Sequence, residues 1–425
     1  MIATTYARAV AALDSVAWRG IMPGLERTRA MLAALGNPQT GLRGALVAGT
    51  NGKGSVCATV DAICRAAGHR SVLLTSPHLS SYCERFVRDG APITEAEFAS
   101  LVARVWDAAE ALPDELQPTG FEVLTAAGIL VAREADADVL VCEVGLGGRL
   151  DSTNVLDLGI AAVTNVALDH QDLLGETIPE IAREKAAIIK PGNRAVTGAS
   201  EPGLTAIRAR ATEVGAPLTV VGIDVPFEGR SAGMRGVLVD SVFDGRPISV
   251  HAPLRGAFQV ANVATAIAVC EALRDSGIAI DAGAVARGCE AVRWPGRMDW
   301  IEGAPPLLID GAHNPAGMAA MVAAARELIG ERHCVAVFAA MRNKDVESMA
   351  AGLAGLTREI IVTAPAVERA TPPADLARLF EPPAEVAGDV RTALQHARHR
   401  AGRDGVVVVC GSLYLAGEVI DLLGV

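Results

Sequence analysis

Basic residues are in deficit. The 425-residue chain has a formal net charge of −11, so it lacks the positive face that a nucleic-acid partner would require to neutralise its phosphates. Aromatic side chains make up 4% of the chain against 51% hydrophobic residues, which leaves an aliphatic core. No apolar run is long enough to span a bilayer, and no basic stretch followed by an apolar one opens the chain. The cysteines (Cys57, Cys64, Cys83, Cys142, Cys270, Cys289, Cys334 and Cys410) include no CxxC pair and mostly sit inside apolar runs. They read as small hydrophobes rather than as zinc ligands or disulfides. Internal repeats and low-complexity tracts are missing as well. The expectation is a soluble cytoplasmic protein of two domains, with small-molecule partners and a monomeric state by default.

What is present begins with Gly49-Thr50-Asn51-Gly52-Lys53-Gly54-Ser55, set between the apolar run Ala45 to Ala48 and the helix-like Val56 to Ala67. A strand, a tight glycine loop and a helix start make a phosphate cradle: backbone N–H groups face an anion, the helix N-terminus adds positive partial charge, and Lys53 reaches the outer phosphates. The common P-loop pattern has a glycine separated by four residues from Gly-Lys and a Ser or Thr directly after Lys. Here Val47 takes the first place and Gly54 intervenes before Ser55. A purely structural turn is the alternative; ATP is the expected guest.

Strand-like runs at Ala45 to Ala48, Val72 to Thr75, Val139 to Val144 and Ile160 to Val166 alternate with helical stretches such as Glu95 to Leu112 and Phe121 to Ala135. That alternation predicts an α/β fold with a mostly parallel sheet covered on both faces and ligands at strand C-terminal ends. After Pro202 come shorter β-like segments, Leu218 to Val221 and Gly236 to Val242, then helices from Gln259 to Leu273 and toward Val292. The run Trp294-Pro295-Gly296-Arg297-Met298-Asp299-Trp300 marks a linker. Strands at Leu307 to Ile309, Cys334 to Phe338, Glu359 to Val362 and Val406 to Val409 then begin a second, smaller Rossmann-like domain. The expected division is a P-loop domain over 1–298 and a C-terminal domain over 299–425.

Several motifs carry chemistry. Glu143 closes a buried-strand pattern and precedes Gly145-Leu146-Gly147-Gly148-Arg149, the place where a P-loop enzyme holds magnesium; a buried salt bridge is the alternative. The glycine run favours a backbone that approaches a ligand closely. Asn165-Val166-Ala167-Leu168-Asp169-His170 repeats the layout, with His170 where a second metal or phosphate contact would lie. The run from Ile181 to Lys190 reads as a helix stopped by Pro191-Gly192. Its Lys185 sits among Ala and Ile, which would lower its pKa and open it to carbon dioxide. On chemistry alone an exposed lysine paired with an acid of its helix is the better expectation. Asp310-Gly311-Ala312-His313-Asn314-Pro315 and Gly411-Ser412 follow strands and face a cleft, or are plain turn chemistry.

Taken together, GTNGKGS, Thr75-Ser76-Pro77-His78 with Glu84-Arg85, GLGGRLDSTN, LDH with REKAAIIKPG, and DGAHNP resemble folylpolyglutamate synthase and dihydrofolate synthase, a branch of the Mur ligase superfamily, over essentially the whole chain. The resemblance implies ATP-dependent amide formation between glutamate and dihydropteroate, a folate or a γ-glutamyl tail, through an acyl phosphate. It further implies that Thr50, Asn51, Gly52, Lys53, Gly54 and Ser55 hold the triphosphate and that Ser76, Glu143 and His170 bind Mg2+. Asn262, Arg297 and Asp310 would contact nucleotide, with Gln259 close by. Lys185 matches a carbamylated lysine able to hold a second Mg2+, reversing the reading from chemistry alone. His313 and Ser412 would line the interdomain cleft near glutamate, His313 with Lys53 and Lys185 as catalytic groups. Thr119, Gly120, Phe121 and Glu122, with Leu150, Asp151 and Ser152, match pterin-binding segments, and Met22 to Gly24 is a weaker match. Departures from the family pattern are Asn343 in place of the usual aspartate, Tyr82-Cys83 before Glu84-Arg85, and Met22-Pro23-Gly24. The rivals are a Mur-type ligase acting on a cell-wall precursor and a non-catalytic ATP-dependent binding protein.

Overall fold

The computed structural model describes residues 5–424. Its first sheet is built from β1 (Gly44–Ala48), β2 (Ser71–Leu74), β3 (Phe86–Arg88), β4 (Ala91–Pro92), β5 (Val139–Glu143), β6 (Gly159–Val163), β7 (Arg194–Thr197) and β8 (Leu218–Val220), in the order β4-β3-β2-β5-β1-β6-β7-β8. Only β3 and β4 run antiparallel to their neighbours. Every residue of β1 and β5 is buried, the continuous apolar run expected of parallel strands covered on both faces. Alternate side chains of β1 enter different cores. Leu46 and Ala48 pack with the helices Glu95–Glu110 and Gly120–Glu134, whereas Ala45 and Val47 pack with Lys53–Ala66, Gln259–Asp275 and Ala282–Ala291. From β1 the chain goes first to β2, returns to insert β5, then crosses to β6 on the other side. The C-terminal ends of β5, β1 and β6 therefore border a topological switch point, where such sheets bind ligands.

A three-stranded antiparallel sheet follows, β9 (Glu228–Ser231), β10 (Val237–Phe243) and β11 (Arg246–Ala252). Val237, Val239, Phe243 and Val250 are buried while Asp240 and Arg246 are exposed, so one face covers the Gln259–Asp275 helix and the other meets water. The third sheet comprises β12 (Asp299–Ile301), β13 (Leu307–Ile309), β14 (Cys334–Phe338), β15 (Ile360–Val362), β16 (Glu385–Val386) and β17 (Val406–Cys410), in the order β12-β13-β17-β14-β15-β16. It has its own core on each face. No helix among the described residues is long and apolar enough to cross a membrane.

Two expected elements are shorter than the sequence pattern suggests. The helix carrying Lys185 spans Ile178–Ala186 and stops well before Pro191. Beyond it the Ile188 and Ile189 N–H groups bond the Lys185 and Ala186 carbonyls at 3.4 and 2.9 Å, tighter turns that end the α-helix while both isoleucines stay buried. Likewise β6 ends at Val163 instead of Val166. Beyond it Thr164 and Asn165 turn their side chains to the glycine loop: Thr164 Oγ1 donates to the Asn51 carbonyl at 2.7 Å and Asn165 Nδ2 to the same oxygen at 2.9 Å.

Candidate active site

The glycine loop leads directly into the helix Lys53–Ala66, which begins three residues earlier than its apolar pattern indicates. Gly52 stands at the N-cap with φ +80°, a left-handed conformation that L side chains rarely adopt, and a Cβ there would lie 2.3 Å from Asn262 Oδ1. The loop is held from outside. Thr50 N–H donates to the Asn165 carbonyl at 3.0 Å, Asn51 N–H to Asn165 Oδ1 at 2.9 Å, and Thr50 Oγ1 meets both N–H and carbonyl of Ala167. Ser55 Oγ accepts from Gln259 Nε2 at 3.2 Å, and Gln259 Oε1 accepts from Asn262 Nδ2 at 2.8 Å. Asn262 and Gln259, distant in sequence, thus abut the cradle.

Gly54, the residue that breaks the common P-loop pattern, has a packing reason. A Cβ on it would lie 2.5 Å from Trp294 Cζ2, so the indole rests directly on the first turn of the helix. Gly54→Ala is expected to cost about 1–3 kcal/mol through forced displacement of that ring. Chemical denaturation reads the loss, and a midpoint equal to wild type would show that the ring yields without strain.

Two lysines meet at one carbonyl. Lys53 Nζ donates to the Gly49 and Thr50 carbonyls at 3.2 and 3.3 Å, and Lys185 Nζ donates to the Gly49 carbonyl at 3.0 Å. Lys185 is 4% exposed, with no carboxylate paired to it among the described residues. The exposed, acid-paired lysine favoured by chemistry alone is therefore incorrect: its neighbour Glu184 pairs with Arg149 instead, at 2.9 Å. Burial, reinforced by the charge of Lys53, pushes the Lys185 ammonium down to about 7.

Glu143 ends β5 and is buried. Its Oε2 accepts the Ser76 N–H at 3.1 Å, while Lys53, Arg297 and Arg85 supply positive charge without pairing with it. Burial raises its pKa, and those cations oppose the rise. A buried, sparingly hydrogen-bonded carboxylate that meets the Ser76 backbone offers the hard oxygen ligand that a divalent cation takes. His170 faces a different partner, because its Nε2 lies 2.9 Å from Lys344 Nζ and Lys344 pairs with Asp169 at 2.7 Å. Among the described residues no group of three His, Cys, Asp or Glu side chains is gathered for a metal. His170 holds a left-handed backbone conformation, φ +51°, at the rim of a cleft of about 760 Å³ between the two sheet domains.

The C-terminal domain closes on this rim. Asn314 caps the helix Pro315–Ile329 through Gly317 N–H at 2.8 Å, and its Nδ2 donates to Asn51 Oδ1 at 3.0 Å and Asp169 Oδ2 at 2.9 Å. One asparagine thus joins the phosphate loop, the loop after β6 and the second domain. Sequence reading missed this bridge and the Lys344 pairing, since neither partner set has a local pattern. His313 Nδ1 lies 2.9 Å from the Gly311 carbonyl, which can only accept, so Nδ1 carries the proton and Nε2 is the bare nitrogen. Burial and then the Lys344 charge lower its pKa to about 4.

Asp310 is fully engaged by the Met298 and Ala312 N–H groups at 2.9 and 2.8 Å, and Arg297 lies beside it with Nη1 on the Gly296 carbonyl. Ser412 is buried and accepts the Tyr414 N–H at 3.1 Å, capping the helix Leu413–Leu423, so turn chemistry accounts for its hydroxyl.

The pterin-side segments converge, but several of their side chains hold one another. Thr119 and Glu122 form a capping box on the helix Gly120–Glu134, and Glu122 accepts Arg27 Nε at 3.0 Å. Asp151 accepts Leu146 N–H at 2.7 Å and Thr153 N–H at 3.0 Å, and Ser152 Oγ sits 2.6 Å from Thr125 Oγ1. The Leu150 carbonyl accepts Gly24 N–H at 3.3 Å, which brings Met22 to Gly24 to the same place. The glycine run serves protein packing at two positions: a Cβ on Gly145 would meet the Phe121 ring at 2.3 Å, and one on Gly148 the Glu184 carbonyl at 2.5 Å.

Known proteins share this arrangement. The Mur ligase middle domain matches residues 47–270 and the Mur ligase glutamate ligase domain residues 296–413. With the phosphate loop and interdomain cleft, those matches place the chain in the Mur ligase class. A dihydrofolate synthase/folylpolyglutamate synthase of Bacillus subtilis is 32% identical, over 94% of this chain and 95% of its own. A probable bifunctional folylpolyglutamate synthase/dihydropteroate synthase of Halobacterium salinarum is 37% identical over 94% of this chain, which spans only 49% of that longer protein. The chain likewise covers about half of a Haloferax volcanii relative of the same description. Among solved structures, Mycobacterium tuberculosis folylpolyglutamate synthase complexed with ADP and AMPPCP superposes with a TM-score of 0.93 at 30% identity over 99% of both chains. Escherichia coli FolC in complex with DHPP and ADP gives 0.90 at 29% identity, covering 100% of this chain and 99% of its own. The chain belongs to the folylpolyglutamate synthase/dihydrofolate synthase family of ATP-dependent glutamate ligases.

Proposed function

We propose that the protein uses ATP to activate a carboxylate of a folate or of dihydropteroate and joins L-glutamate to it by an amide bond. The observation that carries this reading is the meeting of Lys53 and Lys185 at the Gly49 carbonyl, beside buried Glu143 and on the rim shared by both domains. Phosphoryl transfer depends mainly on positioning and on cationic charge at the transferring oxygens. Gly52 to Ser55 present the helix N-terminus to the phosphates, and Lys53 exchanges its carbonyl contacts for the outer phosphate oxygens. Gln259, Asn262, Arg297 and Asp310 surround the nucleotide.

The Mycobacterium tuberculosis relative complexed with ADP and AMPPCP, and a Yersinia pestis one complexed with AMPPNP and Mn ion, support nucleotide and divalent-metal use by the family. Ser76 and Glu143 would hold the cation here, with His170 joining once released from Lys344. Such a cation supplies charge neutralisation at the phosphate oxygens. Lys185, whose amine loses its proton near pH 7, adds to carbon dioxide as a neutral nucleophile, giving a carbamate and a proton. His313, neutral at working pH, accepts a hydrogen bond from the glutamate ammonium through Nε2. Phe121 and Leu150 face the pterin, with Glu122, Asp151 and Ser152 shaping the loops around them. We place the division between the ATP-binding part and the glutamate-ligase part at 298/299, and the compartment as cytoplasmic.

Phosphate release from the purified protein is expected only when ATP, glutamate and a pteridine acceptor are supplied together. Release without either substrate would remove the ligase reading. Offering dihydropteroate and tetrahydrofolate separately decides which acceptor is used.

A further inference from the structure

The loop between β2 and β3 is braced as one piece. At its base Thr75 N–H donates to the Arg85 carbonyl at 3.1 Å. Inside it the Glu84 carboxylate accepts the N–H groups of Leu79, Ser80 and Ser81 at 2.8, 2.9 and 2.6 Å. Three N–H groups on one charged acceptor hold the turn rigid. At the near end of this piece Ser76 N–H meets Glu143 Oε2 at 3.1 Å. At the far end, three residues on and therefore no more than about 11 Å away, Leu79 reaches the C-terminal domain.

Leu79 is half-buried against the apolar core between the third sheet and the helices Val390–Ala401 and Leu413–Leu423. Among the described residues no other apolar side chain ahead of β12 packs there. Two glycines cut the socket that receives it. A Cβ on Gly417, inside the helix Leu413–Leu423, would lie 2.1 Å from the Leu79 carbonyl oxygen and 2.7 Å from its carbonyl carbon. Glycine inside a helix weakens it, and the close approach of the Leu79 backbone is the reason that Gly417 is there. A Cβ on Gly296, in the linker, would lie 2.9 and 3.0 Å from Leu79 Cδ2 and Cδ1, and Gly296 turns the linker around the leucine at φ +69°. Domains with separate cores on a short linker move relative to one another unless contacts hold them. Asn314 ties the C-terminal domain to the β1–β6 flank of the phosphate loop, and Leu79 ties it to the β2–β5 flank.

We propose that Leu79 is a positioning residue: seated between Gly296 and Gly417, it carries closure of the C-terminal domain to the corner formed by Ser76 and Glu143. The braced loop is the strut that transmits the movement, so the reacting groups of the two domains come into register only when both flanks are docked. Its part in turnover rests on the ligase reading.

Gly417→Ala tests the seat. The new Cβ meets backbone atoms that cannot rotate away, while alanine is the better helix residue, so the variant should unfold at or above the wild-type midpoint with its domains held apart. Small-angle X-ray scattering of the protein with ADP is expected to give a larger radius of gyration than wild type. The same variant should lose about a hundredfold in kcat, the scale of misplacing a reacting group by about 1 Å, with the Kd for ADP within about threefold of wild type. Leu79→Ala introduces no clash and keeps the test standing if Gly417→Ala does not fold. It should lower kcat about tenfold at unchanged ADP affinity, and Leu79→Met, similar in volume, should restore most of the loss. A wild-type radius of gyration and kcat in Gly417→Ala, or a wild-type kcat in Leu79→Ala, overturns the proposal. So does ADP affinity that falls in step with kcat, the mark of general structural damage. A wild type that releases no phosphate with both substrates overturns the ligase reading, whereas the scattering comparison needs no turnover and decides the interdomain seat by itself.

Discussion

Lys185→Ala is expected to lower kcat by about 10²–10³-fold, the scale of losing one charge-stabilising group at a dry reacting centre. The physical case has three parts. The side chain is buried, it has no acid partner among the described residues, and it shares the Gly49 carbonyl with Lys53. All three favour the neutral amine, which brings the pKa to about 7 against an ordinary value of 10.5. Below pH 7 the ammonium has no lone pair to add to carbon dioxide, so wild-type turnover should fall on that side and level off above it. Stripping bicarbonate from the buffer should lower activity, and adding it back should restore it. If Lys185→Ala retains normal activity without bicarbonate, the carbamate assignment is wrong. The sign for stability agrees: the folded state binds fewer protons than the unfolded chain between about pH 7 and 10.5, so the destabilisation from this lysine is greatest below 7 and fades as pH rises.

Lys53→Ala should cost about 10³-fold in phosphoryl transfer, because little besides positioning and positive charge accelerates that step. The helix start, Gly52 in its left-handed conformation and the ties from Thr164 and Asn165 remain, so nucleotide should still bind while chemistry stalls. Rapid-quench measurement of acyl-phosphate formation separates these steps. Lys53→Arg is expected to recover little: a planar fork cannot reproduce a point charge that folds back onto two loop carbonyls 3.2 and 3.3 Å away. A variant with unimpaired single-turnover chemistry would remove Lys53 from the transfer step.

Much of the fold could be read along the chain, and for a common reason. β13 and β14 have the bounds their apolar runs predict, and β1 differs by one residue, because a buried parallel strand must be apolar throughout. Elements that failed did so where a tertiary contact outweighed the local pattern. The Lys185 helix gives way to tighter turns at the buried Ile188 and Ile189, and β6 ends early because Thr164 and Asn165 bond the phosphate loop. The glycine run at Gly145 looked like a ligand contact but leaves room for Phe121.

The site divides along the same line. The glycine loop, Glu143, Lys185 and the order of the family motifs depend on residues near one another in sequence, so the chain alone determined the family it belongs to and the residues proposed to lie nearest the phosphates. Tertiary structure alone decided that Lys185 is buried and shares a carbonyl with Lys53, that Asn314 bridges the domains, and that His170 faces Lys344. A charge's partner and its solvation are set by what the fold brings alongside it, and those neighbours lie from 136 to 263 residues away for the Lys185–Gly49 and Asn314–Asn51 contacts.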